Sequence, residues 1–333
     1  MTDSIRFLLG HEHRELRDID PTMTVLNYLR LVERRCGTKE GCAEGDCGAC
    51  TVVLGEVADG RIRYRGVNAC IQFLPTLDGK QLITVEQLKD ADGQLHLVQQ
   101  AMVDAHGSQC GFCTPGFVMS LFALFHERMR PDRGQINDAL AGNLCRCTGY
   151  GPIVTAAENM YGSPRRDQFT AAQAATLAAL GLLQNGETTT VSGDSRRFFA
   201  PTRLGELVRL VGEHPTATLL AGGTDVGLWV TKQHRRLDPV IYVGNVVELQ
   251  RIVVTTTHIE IGAAVTYADL HELIDRHYPD FGELIRRLGS TQIRNAGTMS
   301  EKPLSARSHH CPFGSIGSTA AAMPFHWMCR QRS

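Results

Sequence analysis

Gly41-Cys42-Ala43-Glu44-Gly45-Asp46-Cys47-Gly48-Ala49-Cys50, with Cys70 further on, is the stretch from which the rest of this chain is read. A 2Fe-2S centre needs four thiolates around a small rhomb, so the backbone must come close, turn tightly and offer N–H groups to anionic sulfur. Glycine does this at least steric cost, and Gly41, Gly45 and Gly48 stand in and beside the loop. C-x4-C-x2-C with a distant fourth cysteine is a 2Fe-2S spacing. The rival is a zinc knuckle, which presents two C-x2-C pairs closing a tetrahedron; Cys42 and Cys47 are too far apart for that pattern. No apolar signal segment accompanies Met1-Thr2-Asp3-Ser4. The expected compartment is therefore the reducing cytoplasm, where dense cysteines read as metal ligands rather than disulfides.

A second set pairs Cys110-Gly111-Phe112-Cys113 with Cys145-Arg146-Cys147, so that eight of the eleven cysteines are used. Cysteines two apart on a helix diverge unless a helix end re-aims them. Thr114-Pro115-Gly116 opens an apolar run over 117–125, and Gly142-Asn143-Leu144 leads into the second pair. Both pairs are expected at helix starts, where free N–H groups and the positive dipole end favour thiolate charge.

Cys42 to Cys70, together with Gln109-Cys110-Gly111-Phe112-Cys113-Thr114-Pro115-Gly116 and Gly142-Asn143-Leu144-Cys145-Arg146-Cys147-Thr148-Gly149-Tyr150, closely resembles the two-cluster segment of the molybdenum hydroxylases, which include xanthine dehydrogenase, aldehyde oxidase and carbon monoxide dehydrogenase. The stretch over about 219–300 resembles the flavin domain of the xanthine dehydrogenases, so the whole is most similar to the small subunit of the two-subunit bacterial type. The resemblance covers roughly residues 1–300. It implies an α+β multidomain fold: a β-grasp 2Fe-2S ferredoxin domain over 1–88, a helical-bundle 2Fe-2S domain over 89–162, a linker over 163–197, and an incomplete α+β FAD-binding domain over 198–300. The last is of the vanillyl-alcohol-oxidase/CO-dehydrogenase-flavoprotein type. A tail outside the family pattern fills 301–333.

The length of 333 residues suggests about two domains, and 43% hydrophobic with 21% charged residues is an ordinary soluble composition. A formal net charge of -1 gives no global field toward nucleic acid or an anionic membrane. No apolar stretch reaches the roughly 18 residues of a membrane span.

Ile5-Arg6-Phe7-Leu8-Leu9 reads as a strand, Gly10 to His13 as a turn, and residues 14–19 as the returning strand. Asp20-Pro21-Thr22-Met23-Thr24 caps a helix with Val25, Leu26, Leu29 and Val32 on one face. Residues 51–55 and 61–67 continue as strands before Cys70. Cys36 lies outside the ligand pattern and is read as a plain thiol. From Leu95 a helical face runs to Gly107, and helices over 117–129, 135–141 and 153–160 complete a bundle. Its Phe117, Phe122 and Phe125 are read as core packing rather than an electron relay. The family implies that Gln109 meets a pterin held by the partner; otherwise Gln109 is a polar cap. The alanine-rich stretch over 171–183 is read as a helix that is either part of a tether or packed on the flavin domain.

Thr218-Leu219-Leu220-Ala221-Gly222-Gly223-Thr224-Asp225-Val226-Gly227 reads as a strand running into a glycine turn, whose N–H groups can face a diphosphate. G-G-T-D also makes an ordinary turn. The resemblance makes it the first flavin loop, with FAD rather than NAD, and G-x-G-x-x-G is absent. It implies FAD contacts at Leu219, Leu220, Ala221, Gly222, Gly223, Thr224, Asp225, Val226, Leu288, Thr298, Met299 and Ser300. Gln292-Ile293-Arg294-Asn295-Ala296-Gly297-Thr298-Met299-Ser300 fits the second flavin loop, after which Glu301-Lys302-Pro303-Leu304 departs from the family's glycine-asparagine-isoleucine. The tail is therefore expected to be truncated or frameshifted; a rival takes His309, His310, Cys311 and Cys329 as a metal site, with no flanking element to orient them.

The resemblance implies one electron route. A molybdopterin centre on a large partner subunit oxidises hypoxanthine or xanthine to urate, and electrons pass through 2Fe-2S ligands Cys42, Cys47, Cys50 and Cys70, and Cys110, Cys113, Cys145 and Cys147, to FAD and then NAD+. No catalytic residue is expected in this chain, which would work in a heterotetramer or higher assembly. Two alternatives stand: the same relay in an aldehyde or other molybdenum hydroxylase, and a truncated iron-sulfur carrier without FAD.

Overall fold

The computed structural model of the protein describes residues 2–162, 167–184 and 186–299, and the backbone of 326–330. Its centre is a five-stranded sheet made from β1 (Ile5–Leu9), β2 (Glu12–Leu16), β3 (Thr51–Ala58), β4 (Arg61–Asn68) and β5 (Gln81–Ile83), ordered β2-β1-β5-β3-β4. The β1–β5 pair is parallel and its neighbours antiparallel. Alternating side chains of a strand point to opposite faces, and here both faces are covered. Ile5, Phe7, Leu9, Val52 and Leu54 enter one core, and Leu8, Val53, Ile62, Tyr64 and Ile83 another. That explains the unbroken apolar wording of Thr51-Val52-Val53-Leu54, since a strand buried on both sides has no solvent face to encode. The turn at Gly10 is tighter than the sequence suggested, and the β1–β2 hairpin closes between Leu9 and Glu12.

Beneath the first face, α1 (Val25–Asn27), capped by the Thr24 hydroxyl accepting from Asn27 N–H, passes into a π-helical turn over Tyr28–Val32. The helix expected there is thus short and widened. The second face carries α2 (Leu97–Asp104), α3 (Thr114–Glu127), α4 (Arg133–Leu140) and α5 (Gly151–Asn159). Phe117 and Phe122 are fully buried in that core, and Phe125 stacks on Tyr161 at 5.2 Å between ring centres. The short helix α6 (Gln168–Ala171) and the alanine-rich α7 (Gln173–Leu183) follow. α7 packs on β1, β3 and β4 with Leu180 and Leu183 inside the second core. This corrects both readings of that stretch: it is neither a tether nor a cover for the flavin unit, but part of the first unit's own core.

The connection is clasped by a buried carboxylate. Asp167 caps α6 through Thr170 N–H (2.7 Å), and its Oδ2 lies 2.8 Å from His96 Nε2. His96 Nδ1 accepts from Val98 N–H, which places the ring proton on Nε2 as a donor to Asp167. His126 Nε2 is also 2.8 Å from that oxygen, off the line of a good hydrogen bond. Burial alone would raise the Asp167 carboxyl, but the two imidazoles hold it far below the usual carboxylate range. A depressed folded value gives stability that is full above the unfolded value, about 3.9, and is lost as pH falls through the folded value. Asp167→Asn should therefore cost roughly 1.5–3 kcal/mol at neutral pH, the size of a charge-assisted hydrogen bond. Melting curves at a series of pH values should also show a shallower acid limb for the variant.

A second sheet opens with β6 (Thr189–Gly193) and β7 (Arg196–Ala200), which form a hairpin, so this unit starts before residue 198. After α8 (Leu204–Glu213), β8 (Thr218–Leu220), α9 (Val226–Thr231) and β9 (Val240–Tyr242) complete the order β6-β7-β9-β8. Phe198, Leu220, Val226, Val240 and Tyr242 merge with the first face of the β-grasp core, so the two units share one apolar interior. Then come β10 (Ile252–Val254), β11 (His258–Gly262), α10 (Tyr267–His277), α11 (Pro279–Arg286) and α12 (Thr291–Ala296). In the tail, the backbone of β12 (His326–Arg330) pairs antiparallel with β11. No helix among the described residues is long and apolar enough to cross a membrane.

Candidate functional site

The loop from Gly41 to Cys50 leaves the π-helical turn and enters β3, and it is shaped by residues in the left-handed region: Ala43 (φ 55°), Gly45 (83°) and Gly48 (69°). Three amides turn inward on Cys42 Sγ, from Asp46 (3.3 Å), Cys47 (3.4 Å) and Glu44 (3.5 Å). A hydrogen bond from the Cys70 thiol, helped by these amides against the effect of burial, holds Cys42 down at about 3. Cys70 also contacts Cys50, and its own thiol is pushed up by these two neighbours and by burial. Cys42 in turn contacts Cys47. The four sulfurs so gathered touch pairwise. A single tetrahedral ion would draw all four sulfurs to about 3.8 Å apart, from Zn–S bonds of about 2.3 Å, whereas the contacts here run as a chain, Cys47 to Cys42 to Cys70 to Cys50. The set fits a two-iron rhomb.

The second quartet assembles likewise from Cys113 with Cys145 and Cys110 with Cys147. Burial and the Cys145 thiol push Cys113 up to about 12. Burial raises Cys145 too, but the Thr148 hydroxyl (3.2 Å) and amide (3.5 Å) outweigh it and hold Cys145 at about 7. Cys113 stands at the N-terminal start of α3, as the sequence suggested, without a capping bond from its side chain. Cys145 and Cys147 do not sit at a helix start: Thr148, Gly149 and Tyr150 separate them from α5. Their loop is held instead by Tyr150, which adopts φ 67° and accepts the Cys145 N–H at its hydroxyl (3.0 Å). A bulky residue in that region marks a conformation fixed by its surroundings. Cys50 and Cys70 are buried while Cys110 and Cys147 are exposed. Around the exposed pair stand Gln109, Phe112, Leu144 and Tyr150, all exposed. Cys36 is exposed and accompanies neither quartet.

The two cysteine loops are in direct contact. Leu144 N–H donates to Cys47 C=O (3.0 Å), and Asn143 Nδ2 to Gly48 C=O (3.0 Å). Gly48 is required here, since a Cβ would lie 2.2 Å from Gly142 O.

The two predicted flavin loops also meet. A Cβ on Gly222 would stand 1.9 Å from Ala296 O, and Gly223 has φ 83°. Thr298 bridges Thr266, Met299 N–H donates to Val265 C=O (3.3 Å), and Tyr267 N–H to Gly297 C=O (2.9 Å). Leu220 and Val226 are buried, Leu219 is exposed on β8, and Ala221, Thr224 and Asp225 are partly open. Leu288 is exposed beyond α11, and Ser300 lies outside the described residues, as do His309, His310 and Cys311 and the Cys329 side chain. Residues 292–296, read from sequence as loop, are helical in α12. A cavity of about 580 Å³ lies beside both loops, bordered by Ala221, Gly222, Tyr242, Asn245, Ala296 and Thr298. Bare glycine backbone facing a concave space fits an extended dinucleotide.

This flavin unit grips the first cysteine loop at two points. A Cβ on Gly227 would lie 2.7 Å from Ile71 O, next to Cys70, and Lys232 Nζ donates to Cys42 C=O while pairing with Glu44 (3.5 Å). On β4, Arg63 and Arg65 pair with Asp269, and Gly66 C=O accepts from Asn295 Nδ2 (2.9 Å).

Residues 84–158 match the family described as a 2Fe-2S binding domain, and residues 192–300 match the FAD binding domain in molybdopterin dehydrogenase. The chain is similar to xanthine dehydrogenase of Emericella nidulans, 30% identical over 89% of this chain and 26% of the relative. It is also similar to aldehyde oxidase 2 of Cavia porcellus, 30% identical over 92% of this chain and 27% of the relative. Quinoline 2-oxidoreductase from Pseudomonas putida 86 aligns in structure with a TM-score of 0.42, at 30% identity over 49% of this chain and 98% of that one. The chain spans about a quarter of the length of the curated relatives it matches.

Proposed function

We infer that this chain, which carries the 2Fe-2S and FAD-binding portions of a molybdenum hydroxylase of the xanthine dehydrogenase and aldehyde oxidase type, is the electron-transfer subunit of a xanthine dehydrogenase. The observation that carries the reading is a run of contacts: the two cysteine loops join at Leu144 and Cys47, and the glycine loop joins the first quartet at Gly227 and Ile71, next to Cys70. Cys110, Cys113, Cys145 and Cys147 would hold one 2Fe-2S cluster, Cys42, Cys47, Cys50 and Cys70 the other, and Leu219 to Val226 with Leu288 and 298–300 the FAD. The clusters and the flavin supply the electron-carrying chemistry. The chain's residues supply position and environment. Amides of Glu44, Asp46 and Cys47 stabilise negative sulfur in the inner quartet, and the shared apolar core encloses its Cys50 and Cys70.

The open quartet, with Gln109, Phe112, Leu144 and Tyr150 around it, is where a molybdopterin-bearing partner would deliver electrons; the inner quartet, with Cys50 and Cys70 buried, lies toward the flavin loops. Hypoxanthine and xanthine as partner substrates, NAD+ as final acceptor, a heterotetramer and a cytoplasmic location complete the proposal. The second reading, an iron-sulfur carrier without FAD, is favoured by the sequence departure at Glu301-Lys302-Pro303-Leu304. Iron and flavin analysis of the purified chain separates them. The relay predicts about four irons, two per cluster, with one FAD; four irons without flavin would leave only the carrier.

A further inference from the structure

Gln292, on α12 of the flavin unit, is buried at 2% exposure between the two cysteine loops, together with Thr51, Ser120 and Asn143. Its Nε2 lies 2.9 Å from Asn143 Oδ1, 3.0 Å from Ser120 Oγ and 3.2 Å from Thr51 Oγ1. The direction of each bond in this cluster is fixed. Thr51 spends its hydroxyl proton on Gly48 C=O (2.7 Å), and Ser120 spends its own on Asn143 Oδ1 (2.7 Å). Asn143 Nδ2 donates to the same Gly48 carbonyl. All three oxygens facing Gln292 are therefore acceptors, so the nitrogen of its carboxamide is turned toward them, with its two hydrogens shared among the three. The Gln292 Oε1 rests where a Cβ on Gly142 would come within 2.2 Å. Gly48 lies between ligands Cys47 and Cys50, and Gly142 and Asn143 lead to Cys145. One side chain from the flavin unit thus touches the backbone path to a ligand of each quartet.

We propose that Gln292 is a positioning residue: its carboxamide, inserted by α12, fixes the distance and orientation between the two cluster loops and ties them to the seating of the flavin loop that follows at Gly297. The proposal rests on the relay reading above. α12 is otherwise held by its own contacts, the Ser290 hydroxyl capping Ile293 N–H (3.1 Å) and Thr291 Oγ1 donating to Asp138 C=O (2.9 Å). The Gln292 amide is therefore a separate connection from the helix's cap. A carboxylate at 292 keeps the shape but aims oxygen at three acceptors; methionine keeps the length without donors.

The test is electron paramagnetic resonance of the full chain with both clusters reduced by dithionite, since magnetic splitting between two paramagnetic centres reads their distance and orientation. Q292E and Q292M should hold iron yet show changed or lost splitting, and should release FAD about tenfold faster, the effect of roughly 1.4 kcal/mol or one hydrogen bond. S290A, which weakens α12 without touching the amide, should lower the melting temperature and leave the splitting as in the wild type. If Q292E fails to assemble, Q292M decides. Wild-type splitting in iron-loaded Q292M overturns the positioning role and leaves the relay intact, whereas a wild-type chain that binds no iron overturns the relay and this inference with it.

Discussion

Cys50→Ala should halve the iron of the purified chain, from about four atoms to about two, because the remaining three thiolates cannot close a 2Fe-2S site. Cys50 is buried beside Cys70, with which it shares the inner quartet. The loss should fall wholly on that cluster. Visible absorption should drop correspondingly, and the signal of the outer quartet should persist, since Cys110, Cys113, Cys145 and Cys147 have their own loop supports in Thr148 and Tyr150. Cys36→Ser is the internal comparison, and its iron should equal the wild type's. Full iron in Cys50→Ala would mean that the inner quartet is wrongly drawn.

Gly222→Ala should abolish flavin retention. The new methyl would stand 1.9 Å from Ala296 O, a backbone atom at the C-terminal end of α12. No rotamer can relieve such a clash, so either the glycine loop or α12 must move. Overpacking of this kind costs about 1–3 kcal/mol, and here the strain falls between the two loops proposed to hold FAD. Flavin fluorescence released by denaturing the purified variant should be near background, while its iron stays at the wild-type level. Retention of FAD by Gly222→Ala would place the flavin elsewhere. The two substitutions divide the chain cleanly: one removes half the iron and leaves the flavin loops intact, the other spares the iron and removes the flavin.

The cysteine groups proposed as ligands were legible in the sequence because their spacing is a local property: a loop that wraps iron must place thiols and glycines within a few residues of each other. Their pairing across the chain, 110 and 113 with 145 and 147, rested on family resemblance, and the structure gathers those sulfurs. What local pattern could not give is contact at long range. Gln292 meets Thr51 across 241 positions, and an isolated glutamine before an isoleucine carries no signal of burial. α7 was misplaced for a related reason: a run of alanine and leucine with little polar contrast names a helix without naming its face. The β6–β7 hairpin did have a signal. Thr188-Thr189-Thr190-Val191 is β-branched, and Asp194 and Ser195 both take positive φ, as two-residue hairpin turns demand. Assigning 163–197 to a linker hid the strand these threonines begin.

The placement of α7 also bears on how the protein moves. With that helix folded into the β-grasp core, only the short stretch from Gln184 to Thr188 joins it to the hairpin of the flavin unit. Units on a long flexible linker must search for one another, and electron arrival would then wait on diffusion of one body toward the other. Here the common apolar core and the short leash remove that search. In the proposed relay the donor and acceptor halves would therefore travel as a single body, and the timing of turnover would be left to partner docking and to chemistry outside this chain.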